Sequence, residues 1–147
     1  MALTINERFS HFAVRRGVRC AGVHLLLDIY GSDPRKLDDP QYIRQVLHSA
    51  AQKARATVMK EEFHRFEPCG VSGMLILAES HLSIHTWPRE GIATLDMFMC
   101  GNADPHAALP IIEKAFDGQM SAYEVLRAPI NPQTSDFDRR MTRLTAV

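Results

Sequence analysis

Long apolar runs, an excess of one charge and a set of paired cysteines are all missing from this 147-residue sequence. No apolar run approaches the roughly 20 residues that a membrane-spanning helix needs, so we expect no membrane association. The 17 basic and 17 acidic side chains cancel, which argues against nucleic-acid binding. Three cysteines, Cys20, Cys69 and Cys100, are too few and too scattered for a disulfide framework. The first ten residues lack the layout of a signal peptide, and we expect a cytoplasmic protein.

The composition that remains is that of an ordinary globular protein. Hydrophobic residues make up 46% of the chain and charged residues 23%, which excludes a disordered chain. The length suits a single domain over residues 1–147. A domain of this size can bury a core, but a catalytic cleft in so short a chain often needs a second subunit to complete its walls.

The spacing of apolar residues predicts six strands and two helices. A helix with Asp39 as its cap and Pro40 in its first turn is indicated by apolar positions recurring at three and four from Tyr42 to Ala54. The second helix is expected over residues 106–116. The strands are expected over residues 22–30, 57–66, 71–78, 81–87, 92–100 and 119–128. Residues 1–21 are expected to form a loose arm, and no element is predicted over residues 133–147.

Strands in adjacent hairpins, combined with two helices, predict an α+β fold. The expected architecture is a two-layer sandwich, an antiparallel sheet with its helices on one face. The other sheet face then needs a cover for its apolar residues. A homodimer that stacks sheet on sheet in a four-layer αββα arrangement is the simplest cover.

Two hairpin registers place candidate catalytic groups near one another. Centring the first hairpin on Glu79–Ser80 puts Ser72 diagonal to His85. Centring the next hairpin on Arg89–Glu90 brings Cys100 back beside the same junction. These registers predict two hydroxyls, a thiol and an imidazole around one peptide bond. Such a set can activate a nucleophile or move protons at neutral pH.

Each of these residues also has an ordinary structural role in many proteins, and two familiar kinds of site are absent. His81 and His85 are spaced for a zinc site on a helix, but on a strand they lie about 13 Å apart. No metal is therefore predicted. The glycine-flanked serine of a hydrolase nucleophile elbow does not occur.

Three sequence segments, taken together, are far more specific than any single residue. They are FHRFEPCGVSG at 63–73, ESHLSIHTWP at 79–88 and DMFMCG at 96–101. In order and spacing they closely resemble the bacterial and archaeal S-adenosylmethionine decarboxylase proenzymes over about forty consecutive residues. The surrounding strand and helix layout resembles that family over residues 22–128.

The resemblance implies a self-processing, pyruvoyl-dependent enzyme. Ser80 would attack the carbonyl of Glu79, shift the acyl group from nitrogen to oxygen, and then lose it by elimination. The products would be a β chain of residues 1–79 and an α chain of residues 80–147 that begins with a pyruvoyl group made from Ser80. That group would form a Schiff base with the substrate amine and act as an electron sink, converting S-adenosylmethionine to its decarboxylated form for spermidine and polyamine biosynthesis.

The resemblance also assigns roles to individual residues. Ser72 and His85 would assist processing, with His85 as the base of the elimination step. Cys100 would donate the proton to the decarboxylated carbon. Phe66 matches the aromatic residue that stacks on the adenine ring.

One position departs from the family pattern. The family motif continues Trp-Pro-Glu, with a carboxylate that binds the ribose hydroxyls, whereas Arg89 follows Pro88 here and Glu90 comes one place later. An arginine has only donors and reverses the local charge. The same chemistry on L-arginine or L-ornithine is therefore an alternative, in which Arg89 clamps a substrate carboxylate. Arg89 can equally pair with Glu90 on the surface.

Two further classes of protein stay open. A catalytically inactive regulatory paralogue is expected to lose the Glu79–Ser80 pair or Cys100, and this sequence keeps both. A plain ligand-binding α+β module would leave the spacing of the four candidate groups unexplained. A decarboxylase is favoured over both.

Overall fold

A computed structural model describes residues 13–15, 18–130 and 141–144 of the chain. Its helices are α1 (Pro34–Leu37), α2 (Pro40–Lys53) and α3 (Leu109–Phe116), with 3₁₀ turns at Pro88–Glu90 and Pro105–Ala108. Its strands are β1 (Ala13–Arg15), β2 (Val18–Tyr30), β3 (Val58–Arg65), β4 (Val71–Leu77), β5 (Ser80–Trp87), β6 (Ile92–Met99), β7 (Gln119–Ile130) and β8 (Met141–Leu144).

The strands form one antiparallel sheet in the order β3-β4-β5-β6-β2-β7-β8, and β1 pairs with the start of β2. The helices pack on one face, where the inward side chains of the strands form the core. The predicted α+β class, with an antiparallel sheet and helices on one face, is confirmed. No helix among the described residues is long and apolar enough to cross a bilayer.

Helix α2 begins where the sequence predicted. The Asp39 side chain accepts hydrogen bonds from the backbone N–H groups of Gln41 and Tyr42, and Pro40 occupies the first turn, as expected of a capped helix start. One stripe of the helix is buried against the sheet and consists of Ile43, Val46, Leu47, Ala50 and Ala51. The stripe anchors the helix layer over the centre of the sheet.

The two chain ends differ from the prediction. The expected loose arm is wrong from Ala13 onward, because β1 pairs with a β2 strand that already begins at Val18. At the other end, β7 continues to Ile130 and pairs with β8. The start of β2 pairs with the end of β7, which is distant in sequence, and β1 then pairs with that start of β2. A local apolar pattern cannot reveal this arrangement. Residues 1–12, 16–17, 131–140 and 145–147 lie outside the described residues.

Smaller differences concern the helices. The segment after the first strand was predicted as a turn, but it contains the short helix α1, capped by the Asp33 side chain. The predicted second helix starts as a 3₁₀ turn and becomes α-helical only at Leu109. Single-sequence periodicity does not separate these tight turns from a regular helix.

The sheet face opposite the helices is open. As predicted, His81, Ser83, His85 and Trp87 of β5 lie on this one face, because their cross-strand partners also point away from the core. Several large apolar side chains there are exposed, including Met74, Ile76 and Trp87. We call this surface the open face.

Candidate active site

The β4–β5 hairpin turns through two residues, Ala78 and Glu79, because Leu77 pairs with Ser80. The predicted centre at Glu79–Ser80 is therefore wrong by one residue, since the turn is centred on Ala78–Glu79 and Ser80 already belongs to the strand. As a result, Ser72 lies directly opposite His85 rather than diagonal to it. The predicted tight connection is otherwise confirmed.

The backbone at Ser80 is strained. Its φ angle is +139°, a region that residues with a side chain rarely adopt, and such a conformation costs about 1–3 kcal/mol. The strain falls on the nitrogen side of Ser80, next to the peptide bond that joins it to Glu79. Part of the free energy needed to rearrange this peptide bond is therefore already stored in the folded chain.

Both ends of Glu79 are fixed by neighbours. Its carbonyl oxygen accepts a hydrogen bond from the Cys100 backbone N–H at 2.9 Å. Its carboxylate accepts from the backbone N–H of Thr57 at 2.9 Å and lies 3.2 Å from the Thr57 hydroxyl. An N–H aimed at this carbonyl stabilises negative charge that develops on the oxygen during an attack on the carbon.

Cys100 lies where the second hairpin register predicted. Ser80 pairs with Met99, so that Cys100 follows directly beside the Glu79–Ser80 junction. The thiol is partly buried, and desolvation, followed by the nearby Glu79 carboxylate, raises its pKa above the ordinary value of 9.0. The group is therefore a protonated thiol at neutral pH.

Ser72 and His85 form a second pair. The Ser72 hydroxyl oxygen lies 2.7 Å from Nδ1 of His85 on the open face. Five residues separate His85 from Ser80 along β5, which corresponds to about 17 Å at the usual rise of a strand. The prediction that all four groups surround one peptide bond is therefore wrong within a single chain. Only Ser80 and Cys100 meet there.

Phe66 lies at the Ser72–His85 end of the open face. Its side chain is 46% exposed, and its ring centre is 4.6 Å from that of His64, the cross-strand partner of Ser72. An exposed aromatic ring in this setting has a free side on which a flat group can stack.

Arg89 and Glu90 occupy the 3₁₀ turn after β5, and both are exposed. Arg89 lines a shallow depression with residues that follow β2 and β3, among them Arg35, Asp38 and Cys69. Within the described residues the two side chains form no ion pair with each other. The surface pairing considered from the sequence is thus not present.

A cluster of polar side chains beside Ser80 was missed by the sequence reasoning. His24, His81 and Asp96 bring their ligand-type atoms within 4.8 Å of one another on the open face. Arg127 donates to Nδ1 of His24 at 3.0 Å, and this positive charge disfavours a metal ion in the cluster. In the sequence, only Asp96, the first residue of the third motif segment, pointed to this cluster. Its partners His24 on β2 and Arg127 on β7 cannot be identified from the sequence.

The chain is similar in sequence to proteins of one known family. A family model described as S-adenosylmethionine decarboxylase matches residues 23–128. The S-adenosylmethionine decarboxylase proenzyme of Thermodesulfovibrio yellowstonii is 43% identical over 122 residues, which cover 82% of this chain and 90% of the relative. The proenzyme of Parasynechococcus marenigrum is 38% identical over 124 residues, which cover 84% and 97%.

Solved structures extend the comparison to the fold. The adenosylmethionine decarboxylase from Aquifex aeolicus superposes with a TM-score of 0.70 at 33% identity, covering 78% of this chain and 97% of that chain. A Trypanosoma brucei AdoMetDC monomer matches with a TM-score of 0.54 at 15% identity, covering 84% of this chain and 59% of that chain, and supports the fold alone. By sequence and by fold, the chain belongs to the S-adenosylmethionine decarboxylase family.

Proposed function

We propose that this chain is a proenzyme that cleaves itself between Glu79 and Ser80 and then decarboxylates S-adenosylmethionine. The products of cleavage are a β chain of residues 1–79 and an α chain of residues 80–147. The strained backbone of Ser80, at φ +139°, is the observation that carries the proposal. A hydroxyl beside a strained peptide bond is the arrangement that an acyl shift needs.

The neighbours of the junction support the first step. In an attack by the Ser80 hydroxyl on the Glu79 carbonyl carbon, negative charge develops on the carbonyl oxygen. The Cys100 N–H already points at that oxygen and acts there as an oxyanion donor. Thr57 also holds the Glu79 side chain, which restricts the residue that carries the attacked carbonyl.

The resulting pyruvoyl group at residue 80 supplies a carbonyl that no ordinary side chain offers and that withdraws electrons from the substrate. The residues around it fit this group. Cys100 lies beside residue 80 as a protonated thiol, which suits a donor that returns a proton to the carbon after CO₂ leaves. Phe66, exposed at the Ser72–His85 end of the open face, is the candidate for stacking on the adenine ring and, like that pair, lies far from residue 80 of its own chain.

We further propose a homodimer of processed units in which each site is shared. Ser72 and His85 lie about 17 Å from Ser80 in their own chain, too far to assist its cleavage. The open face carries exposed Met74, Ile76 and Trp87, which a second copy stacked face to face would cover. In that arrangement the Ser72–His85 pair of one chain serves the junction of the other, with His85 as the base of the elimination.

Arg89 bears on the choice of substrate. Arg89 stands where the family carries a ribose-binding glutamate, and it lies with Arg35 in the depression beside α1. Arg35 is paired with Asp33, so Arg89 is the group that favours, as a second candidate, an amino acid such as L-arginine or L-ornithine whose carboxylate it would bind. We place the protein in the cytoplasm, because its sequence has only three scattered cysteines, as is usual for a protein of a reducing compartment.

A single experiment tests the function and the substrate. Purified protein is examined by intact-mass spectrometry, and CO₂ release is then measured with S-adenosylmethionine, L-arginine and L-ornithine. We expect two fragments and release from S-adenosylmethionine. The Arg89→Ala variant should keep that activity, whereas an enzyme acting on arginine should lose it. An uncleaved, inactive chain would instead indicate a regulatory paralogue.

A further inference from the structure

The polar cluster beside Ser80 has no part in the function proposed so far. The Ser80 hydroxyl oxygen lies 3.2 Å from Nδ1 of His81. Neighbouring residues on a regular strand point to opposite faces, so this contact is unusual. The positive φ of Ser80 turns its side chain toward the ring. The strained backbone therefore has a second effect, which is to bring a hydroxyl against an imidazole nitrogen.

Two further side chains lie near the His81 ring. Nε2 of His24 lies 2.5 Å from the Asp96 carboxylate, and the ligand atoms of both residues lie within 4.8 Å of a His81 nitrogen. Arg127 donates to Nδ1 of His24, which leaves the proton of His24 on Nε2, directed at Asp96. The carboxylate is thus held beside His81.

We propose that His81 is the base that takes the Ser80 hydroxyl proton in the first step of self-cleavage. Asp96 positions the ring, and His24 holds Asp96. This inference rests on the proposed self-cleavage and assigns its first step to a residue of the same chain. His85 lies about 17 Å away along β5. It keeps its proposed role as the base of the elimination step, which it performs at the junction of the partner chain.

The step balances without any further reactant. The proton moves from Oγ of Ser80 to Nδ1 of His81 while Oγ bonds to the Glu79 carbonyl carbon. The carbon–nitrogen bond of the peptide then breaks, and the proton passes from Nδ1 to the freed nitrogen of Ser80. An ester and an amine replace the amide, and His81 returns to its starting state.

Burial supports this role. The pKa of His81 lies below the ordinary 6.5, chiefly because of desolvation; Asp96 opposes the shift, and His24 and Arg127 add to it. The ring is therefore neutral at pH 7, and a neutral ring can accept a proton. The same positioned base would be ineffective if it were already charged.

Hydroxylamine separates the two steps because it cleaves the ester but leaves the amide intact. Freshly translated chains of the wild type, His81→Gln, Asp96→Asn and His85→Gln are followed by intact mass, with and without hydroxylamine. His48→Gln, an exposed histidine on α2 that pairs with Glu61, is the matched control and should cleave like the wild type.

We expect His81→Gln to stay whole under both conditions, with the initial rate of ester formation reduced about 100-fold. His85→Gln should accumulate an ester that hydroxylamine cleaves. Asp96→Asn should cleave more slowly, and the acid limb of its rate profile should move to lower pH, because Asp96 raises the pKa of His81. A merely structural role for Asp96 would not move that limb.

Ester formation by His81→Gln at the wild-type rate would overturn the assignment while leaving the self-cleavage intact. A wild-type chain that stays whole would reject the self-cleavage and this inference together. If circular dichroism shows that His81→Gln is unfolded, the Asp96→Asn variant provides the test. A rate of ester formation and a pH profile equal to those of the wild type would then overturn the proposal.

Discussion

Ser72 and His85 face each other across β4 and β5, with the serine oxygen 2.7 Å from the imidazole Nδ1. The pair points away from the core on the open face, at the opposite end of β5 from Ser80. The proposed nucleophile therefore lies at one end of β5, and the pair proposed to assist it lies at the other. Two copies of the chain, packed face to face, are the simplest way to bring them together.

Mixing two inactive chains tests this sharing. Ser80→Ala lacks the nucleophile and His85→Gln lacks the elimination base, so each should remain uncleaved alone. When they are co-expressed with distinguishable tags, the His85→Gln chain should be cleaved, because its partner supplies an intact His85. Intact-mass spectrometry identifies the cleaved chain. Complete absence of cleavage in the purified mixed dimer would place the base within the same chain.

Replacing Cys100 by alanine should impair decarboxylation while leaving self-cleavage intact. Its backbone N–H remains to stabilise the Glu79 carbonyl, so fragments should still form. Loss of the thiol should lower kcat by about 10²–10⁴-fold, the usual contribution of a positioned acid. Fragment masses and CO₂ release from the same preparation check both parts. An unchanged kcat would remove Cys100 from the decarboxylation.

Thr86 should be important for stability. Its buried hydroxyl donates to the Leu37 carbonyl at 2.7 Å and accepts from the Val71 N–H at 2.8 Å. Thr86→Val keeps the shape but leaves both backbone groups unsatisfied, which should cost about 1–3 kcal/mol of unfolding free energy. Urea unfolding at one protein concentration measures the loss. Ser49→Ala, at an exposed position on α2, should change it by less than about 0.5 kcal/mol.

The rate of self-cleavage should have a characteristic dependence on pH. Burial lowers the pKa of His81, with His24 and Arg127 acting in the same direction and Asp96 against it. Since the proposed base acts in its neutral form, the rate of self-cleavage should stay constant from pH 7 to below pH 6.5. The rate should decrease only at lower pH. Rapid-quench mass spectrometry across this range gives the profile. A midpoint above pH 6.5 would contradict a desolvated base.

Much of this architecture could be predicted because local patterns dictate it. The capped helix after Asp39 and the alternation along β5 follow directly from side-chain spacing. The register that brings Cys100 to the junction also follows, because the tight turn after Pro88 leaves little freedom. The neighbouring hairpin was misplaced by one position in its loop, since sequence alone does not determine whether Ser80 ends the turn or begins the strand.

The distribution of the site was harder to predict. The sequence analysis placed His85 in a strand over residues 81–87 and Ser80 in the turn before it. The distance between them could be judged only once the cross-strand partner of each was known. The His24–Asp96–His81 cluster joins three residues from three strands, two of which are far apart in sequence. Long-range pairing of β2 with β6 creates it, and no local pattern carries that information.

The strand order gives cleavage after Glu79 an unusual outcome. Residues 1–79 contribute β3, β4 and β2 to the main path of the sheet, while residues 80–147 contribute β5, β6, β7 and β8, so the two fragments interlock at three strand boundaries. The two fragments would therefore remain paired as strands of one sheet. Once denatured, however, they would have to find each other by diffusion, so that renaturation becomes a second-order process that dilution slows.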